Sequence, residues 1–172
     1  MGKLIKFQVA DLPDVLLVGK EIRHSMEEQM KGNNPIPAFW DRCFAEDIFS
    51  VFQKQAYSIF KSDYVGVMTD WDKGDGDFSY IIGMLMKPGA DVPEGYVSHV
   101  IKATKVAIGW IQGKDVADVC MNAHELTEKA LEDKGHSCEK MTWSMELYNC
   151  PRFTSPDENG QIILDYYIPI DK

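Results

Sequence analysis

Glu146 is the residue of this chain best placed to do chemistry. It sits in the run Thr142-Trp-Ser-Met-Glu-Leu-Tyr148, flanked by Met145 and Leu147 and two residues from Tyr148. A carboxylate in such company has two readings. On the wet face of an antiparallel sheet it is a solvated surface charge. In an apolar cavity, desolvation raises its pKa, and it becomes a counter-charge for a cation or a general acid or base. Tyr64, Tyr80, Tyr148, Tyr166, Trp40 and Trp110 supply aromatic faces on which a flat or cationic molecule can pack, although core packing is the ordinary role of each taken singly.

Other reactive combinations fail on spacing. Asp70-Trp-Asp-Lys-Gly-Asp-Gly-Asp77 gathers carboxylates on a glycine-rich stretch, but Ile81 stands where a calcium loop needs its closing Glu, so a hairpin loop is expected. Gly74-Asp-Gly76 lacks the third glycine of a dinucleotide fingerprint and leads into a strand pattern. The cysteines Cys43, Cys120, Cys138 and Cys150 form no Cys-x-x-Cys pair and read as reduced, mostly buried thiols. Cys138 with His136 is only a weak zinc candidate, and no metal or cofactor is expected. The histidines His24, His99, His124 and His136 are isolated in sequence and read as surface or half-buried residues.

The elements that must position Glu146 come in two copies. Asp14-Val-Leu-Leu-Val-Gly19 and Lys105-Val-Ala-Ile-Gly-Trp110 open similar patterns of strand, helix, strand and strand. Tyr64–Met68 with Phe78–Met86 closes the first, and Thr142–Tyr148 with Ile162–Ile170 closes the second. The spacing predicts one helix within Pro37–Lys54 and another capped by Asp115 and closed by Gly135, with residues 27–34 a polar loop. Residues 87–95, rich in turn formers, read as a seam between pseudo-repeats at about 1–88 and 96–172 of a single domain. Along the Glu146 strand the apolar alternation sets Trp143, Met145 and Leu147 on one side, expected to lie under a helix. Both closing strands are apolar on both faces, which requires cover on each side of the sheet.

Composition excludes several functions. A 45% hydrophobic fraction in 172 residues is that of a folded domain, and a net charge of -9 with scattered Lys and Arg repels a phosphate backbone, so direct DNA binding is not expected. Asp11 and Asp14 interrupt any signal core, and no segment approaches the ~20 apolar residues of a membrane span. A cytoplasmic location follows.

Leu12-Pro-Asp-Val-Leu-Leu-Val-Gly19, Trp40, Tyr64-Val-Gly-Val67, Tyr80 with Gly83, and Asp165-Tyr-Tyr-Ile-Pro-Ile170 together resemble the bacterial GyrI-like small-molecule-binding domain, also the effector-binding domain of AraC-type and MerR-type multidrug regulators. The resemblance implies an α+β fold of duplicated βαββ (SHS2-like) modules, an antiparallel sheet with two main helices, and a central ligand cavity. In related drug-sensing domains an acidic residue in that cavity engages cationic aromatic drugs, and the Met-Glu-Leu segment aligns Glu146 with it. The resemblance begins within the first dozen residues, leaving no room for a helix-turn-helix, so a stand-alone member is expected. Such members sequester toxic compounds, inhibit DNA gyrase, or hydrolyse reactive cyclopropane-bearing DNA alkylators. The resemblance thus implies a binder or sensor of hydrophobic, aromatic or cationic xenobiotics; the alternatives are a Glu146-dependent hydrolase and a gyrase-inhibiting interaction protein.

Overall fold

The computed structural model describes residues 1–71, 76–138, 142–148 and 151–170. Most of the Asp70–Asp77 loop reading (residues 72–75) and Cys150 therefore lie outside the described residues. In chain order the elements are β1 (Lys3–Leu12), β2 (Val15–Ser25), α1 (Met26–Met30), α2 (Ile36–Ala45), a 3-10 segment (Ser50–Ser58), β3 (Ile59–Thr69), β4 (Asp77–Met86), β5 (Val97–Ile101), β6 (Thr104–Gly113), α3 (Val116–Met121), α4 (Ala123–Glu132), β7 (Trp143–Tyr148) and β8 (Ile162–Pro169). Among the described residues no helix is long and apolar enough to cross a membrane.

The chain forms two compact units, one of Asp14–Lys102 and one of Met1–Pro13 with Ala103–Lys172. Strand order in the first is β3-β4-β2-β5 and in the second β7-β8-β6-β1, with antiparallel pairs throughout. Each is a βαββ core with one added edge strand. The short β5 fills that edge in the first unit. In the second it is filled by β1, so the opening residues of the chain complete the unit that its last residues close.

Each unit buries its helical segments against its own sheet. In the first, Phe39, Cys43, Ile48, Phe49 and Phe52 pack on Val18, Phe78, Tyr80, Ile82, Met84 and Met86. In the second, Val119, Ala123 and Leu131 pack on Ala107, Ile111, Leu164, Tyr166 and Ile168. A fully buried Phe52 or Leu131 contributes roughly 1.5–3 kcal/mol of transfer free energy. Strands β4 and β8 are buried on both faces, as their two-sided apolarity requires.

Each expected long helix is broken. The first divides into α2 and the 3-10 segment around Asp47, whose φ of 50° is left-handed and leaves the helical path. The second divides at Asn122 (φ -129°, ψ 18°) into α3 and α4; Asp115 does cap its start, accepting from Asp118 N at 2.9 Å, and Gly135 follows its end at φ 78°. Residues 27–30 of the expected polar loop fall within α1, with Ser25 accepting from Glu28 N. Residues 87–95 belong to the first unit and are tied down there. The Gln55 amide donates to Asp91 O (2.7 Å) and accepts from Asp91 N (3.0 Å), and the Lys20 ammonium donates to Gly95 O (2.6 Å).

Candidate functional site

Strand β7 presents Glu146 to the helix layer. Glu146 lies opposite Tyr166 on β8, and Tyr166 lies opposite Gly109 on β6. A Cβ added at Gly109 would meet Thr127 of α4, so this register row faces the helices. Residues directly opposite across antiparallel strands share a face with Cβ atoms about 4.5–5.5 Å apart. Ser144, Glu146 and Tyr148 therefore look toward α3 and α4. Trp143, Met145 and Leu147, buried at 6%, 0% and 0%, occupy the other side, not the helix-covered one expected. Because both faces of this sheet are buried, the apolar half of the alternation does not mark the side the helices take.

Helices α3 and α4 pack on β6 and β8, leaving the carboxylate half-buried. The Tyr148 hydroxyl donates to Glu146 Oε2 at 3.1 Å. The Cys120 thiol of α3 hydrogen-bonds both Glu146 and Tyr148. Burial pushes that thiol far up from its ordinary range, and the negative charge of Glu146 pushes the same way. Cys120 therefore stays a neutral donor at physiological pH.

Beside this group, Tyr166 hydrogen-bonds Ser144, and its hydroxyl lies 3.4 Å from His124 Nδ1 of α4. The His124 ring meets the Tyr166 ring edge-on at 5.8 Å, and its Nε2 is 3.8 Å from Glu128. Burial pushes the Tyr166 hydroxyl well above its usual range, opposed by the Ser144 hydrogen bond and reinforced by Glu146, Cys120 and Glu128. Glu146, Tyr148 and Tyr166 are thus brought together, with Cys120, Ser144 and His124 joining them.

Trp110 stands apart from that cluster. It lies opposite Asp165 on β8, one residue out of step with the Glu146 row and so on the other face. The Lys6 ammonium and the Arg152 guanidinium both lie over its ring, 4.1 and 3.8 Å from the centroid. Arg152 also donates to both oxygens of Asp165, at 3.1 and 2.9 Å, and Asp165 is only 3% exposed. Asp165→Asn, measured by urea denaturation, is expected to cost about 2 kcal/mol, because the guanidinium keeps its seat on Trp110 but loses its charged partner.

Trp40, Tyr64 and Tyr80 fall in the first unit and pack in or against its core. Trp40 Nε1 donates to the Tyr80 hydroxyl at 3.1 Å, and Tyr64 stacks on Phe49 with centroids 3.7 Å apart. The helix-facing positions of β3 are Tyr64, Gly66 and Met68, with no carboxylate among them. The charged row belongs to the second unit. Among the described residues no group of three or more His, Cys, Asp or Glu is placed to hold a metal ion.

Sequence reasoning passed over Cys120 and His124 as parts of the site. Their i, i+4 spacing puts them on one side of a helical path, and that spacing was the available signal. Ser144, two residues before Glu146, shares its face by the period of a strand.

A family model described as an integron-associated effector binding protein, Cass2, matches residues 8–170. No curated protein matches the sequence. Among solved structures, SAV2435 bound to tetraphenylphosphonium is similar with a TM-score of 0.68 at 18% identity, over 97% of this chain and 94% of that one. The integron cassette protein VCH_CASS2 of Vibrio cholerae is similar at 0.57 and 12%, over 99% of each chain. The C-terminal domain of EcmrR is similar at 0.54 and 13%, over 97% and 98%. At such identities the likeness is one of fold.

Proposed function

Since the chain belongs to the family of integron-associated effector-binding proteins, we propose that it binds hydrophobic small molecules bearing an aromatic body and a positive charge, sequestering or sensing them in the cytoplasm. The observation that carries this reading is Glu146, a half-buried carboxylate on the helix-facing side of β7 beside Tyr148 and Tyr166. A carboxylate so placed attracts a cation more strongly than one in open water, because a charge pair at 4 Å gains about 4 kcal/mol at an effective dielectric of about 20 against about 1 kcal/mol in water. The aromatic faces of Tyr148 and Tyr166 add packing area and quadrupolar attraction. That SAV2435 was solved with tetraphenylphosphonium, an aromatic cation, supports the reading without extending its ligand to this chain.

Titration with tetraphenylphosphonium and a panel of planar cationic dyes, followed by fluorescence and calorimetry, tests it. Saturable binding is expected, with neutral analogues of equal size weaker by about tenfold, the equivalent of about 1.4 kcal/mol. Absence of binding across the panel, or equal affinity for neutral and charged analogues, would overturn it.

A further inference from the structure

We propose that this site selects cations that carry no N–H donor, taking quaternary ammonium and phosphonium ions above protonated primary amines. The reason lies in Glu146, whose carboxylate already accepts from the protein's own donors. The inference rests on the reading of Glu146 as counter-charge and narrows the class of ligand it takes. A carboxylate offers about four lone-pair positions. The Tyr148 hydroxyl donates to Oε2 at 3.1 Å, and the Cys120 thiol of α3, held in its neutral donor form, bonds the same carboxylate. The charge of Glu146 is thus open to a ligand while much of its accepting capacity is in use.

The neighbouring groups add little accepting power. The Tyr166 hydroxyl, on the residue opposite Glu146 in the strand register, hydrogen-bonds Ser144 and lies 3.4 Å from His124 Nδ1. Burial keeps Cys120 and Tyr166 protonated, so neither becomes an anion that accepts strongly. What else lies beside the charge is aromatic: Tyr148, Tyr166 and Phe153, whose ring centroid is 4.7 Å from that of Tyr148. Rings attract a cation through their quadrupoles and ask for no hydrogen bond. The two kinds of cation therefore meet this arrangement differently. A primary ammonium brings three N–H donors and a tightly held hydration shell. Glu146 receives it only by sharing with Tyr148 and Cys120 or displacing them, and each donor left buried without a partner costs about 1–3 kcal/mol. A quaternary centre has no donor to satisfy and leaves both protein donors in place. Its attraction to Glu146 is Coulombic and needs only proximity.

Calorimetry on the wild-type protein with compounds sharing one biphenylmethyl body tests this at about pH 7, where a primary amine is protonated. The body carries in turn trimethylammonium, ammonium, and their neutral isosteres tert-butyl and methyl. The neutral pair measures what the added methyl groups gain by burial alone. Trimethylammonium is expected to bind more tightly than ammonium by about tenfold beyond that neutral ratio. No such excess, or one favouring ammonium, with trimethylammonium still tighter than its tert-butyl isostere, would overturn this proposal and leave the counter-charge reading standing. A trimethylammonium compound no tighter than its tert-butyl isostere would remove the counter-charge reading and this proposal with it.

Discussion

Glu146→Gln is expected to weaken tetraphenylphosphonium binding about thirtyfold, or about 2 kcal/mol, at the low end of what loss of one partner from a partly buried charge pair costs. The substitution keeps the shape of the side chain. Its amide oxygen can still accept from the Tyr148 hydroxyl, which now sits 3.1 Å from Oε2, and the apolar packing of Met145 and Leu147 on the opposite face is untouched. What disappears is the charge. Denaturation midpoints should therefore stay level or rise slightly, since a half-buried carboxylate is costly to hold and a neutral amide less so. A neutral aromatic ligand of similar size should bind both forms alike. Equal affinity of wild type and Glu146→Gln for the cation would remove Glu146 from the binding site, whatever the variant's stability.

Much of the architecture was legible because it rests on local signals. The period-two pattern of β7, the two-sided apolarity of β4 and β8, the Asp115 cap and the left-handed Gly135 all act within a few residues of where they are read. Glu146 was legible as a charge out of place. What escaped depends on long-range facts. Which face of β7 the helices cover is decided by where α3 and α4 dock on β6 and β8, and Trp143, Met145 and Leu147 are buried without them. Asp47 and Asn122 break their helices at residue types common in turns, yet nothing nearby distinguishes them from Asp41 or Asp118, which are helical. His124 looked isolated because Tyr166, which contacts it, is far along the chain and across the register of two strands.

The largest stability effect is expected from Gly19→Ala, a loss of about 3 kcal/mol or more in urea denaturation. Gly19 on β2 lies opposite Gly83 on β4, the two inner strands of the first unit. A Cβ at Gly19 would stand 2.0 Å from Ile82 O, 2.7 Å from Ile82 C and 2.8 Å from Gly83 Cα. All three are backbone atoms, so no rotamer change can relieve the contact and the two strands must part, disturbing a ladder that runs from Leu16 to Ser25. Gly109→Ala is the instructive comparison. Its Cβ would come 2.2 Å from Thr127 Oγ1, a side-chain atom whose hydroxyl donates to Ala123 O at 2.7 Å within α4. That contact can be relieved by a change of the Thr127 rotamer or a small shift of the helix, so the cost should be lower than at Gly19. A change below about 1 kcal/mol in Gly19→Ala would show that β2 and β4 can part at this point without loss of the sheet. The two glycines answer different needs. Gly19 lets strand approach strand, whereas Gly109 lets α4 approach β6, and α4 is the helix that carries His124 to Tyr166. Packing at Gly109 therefore reaches the candidate site through α4.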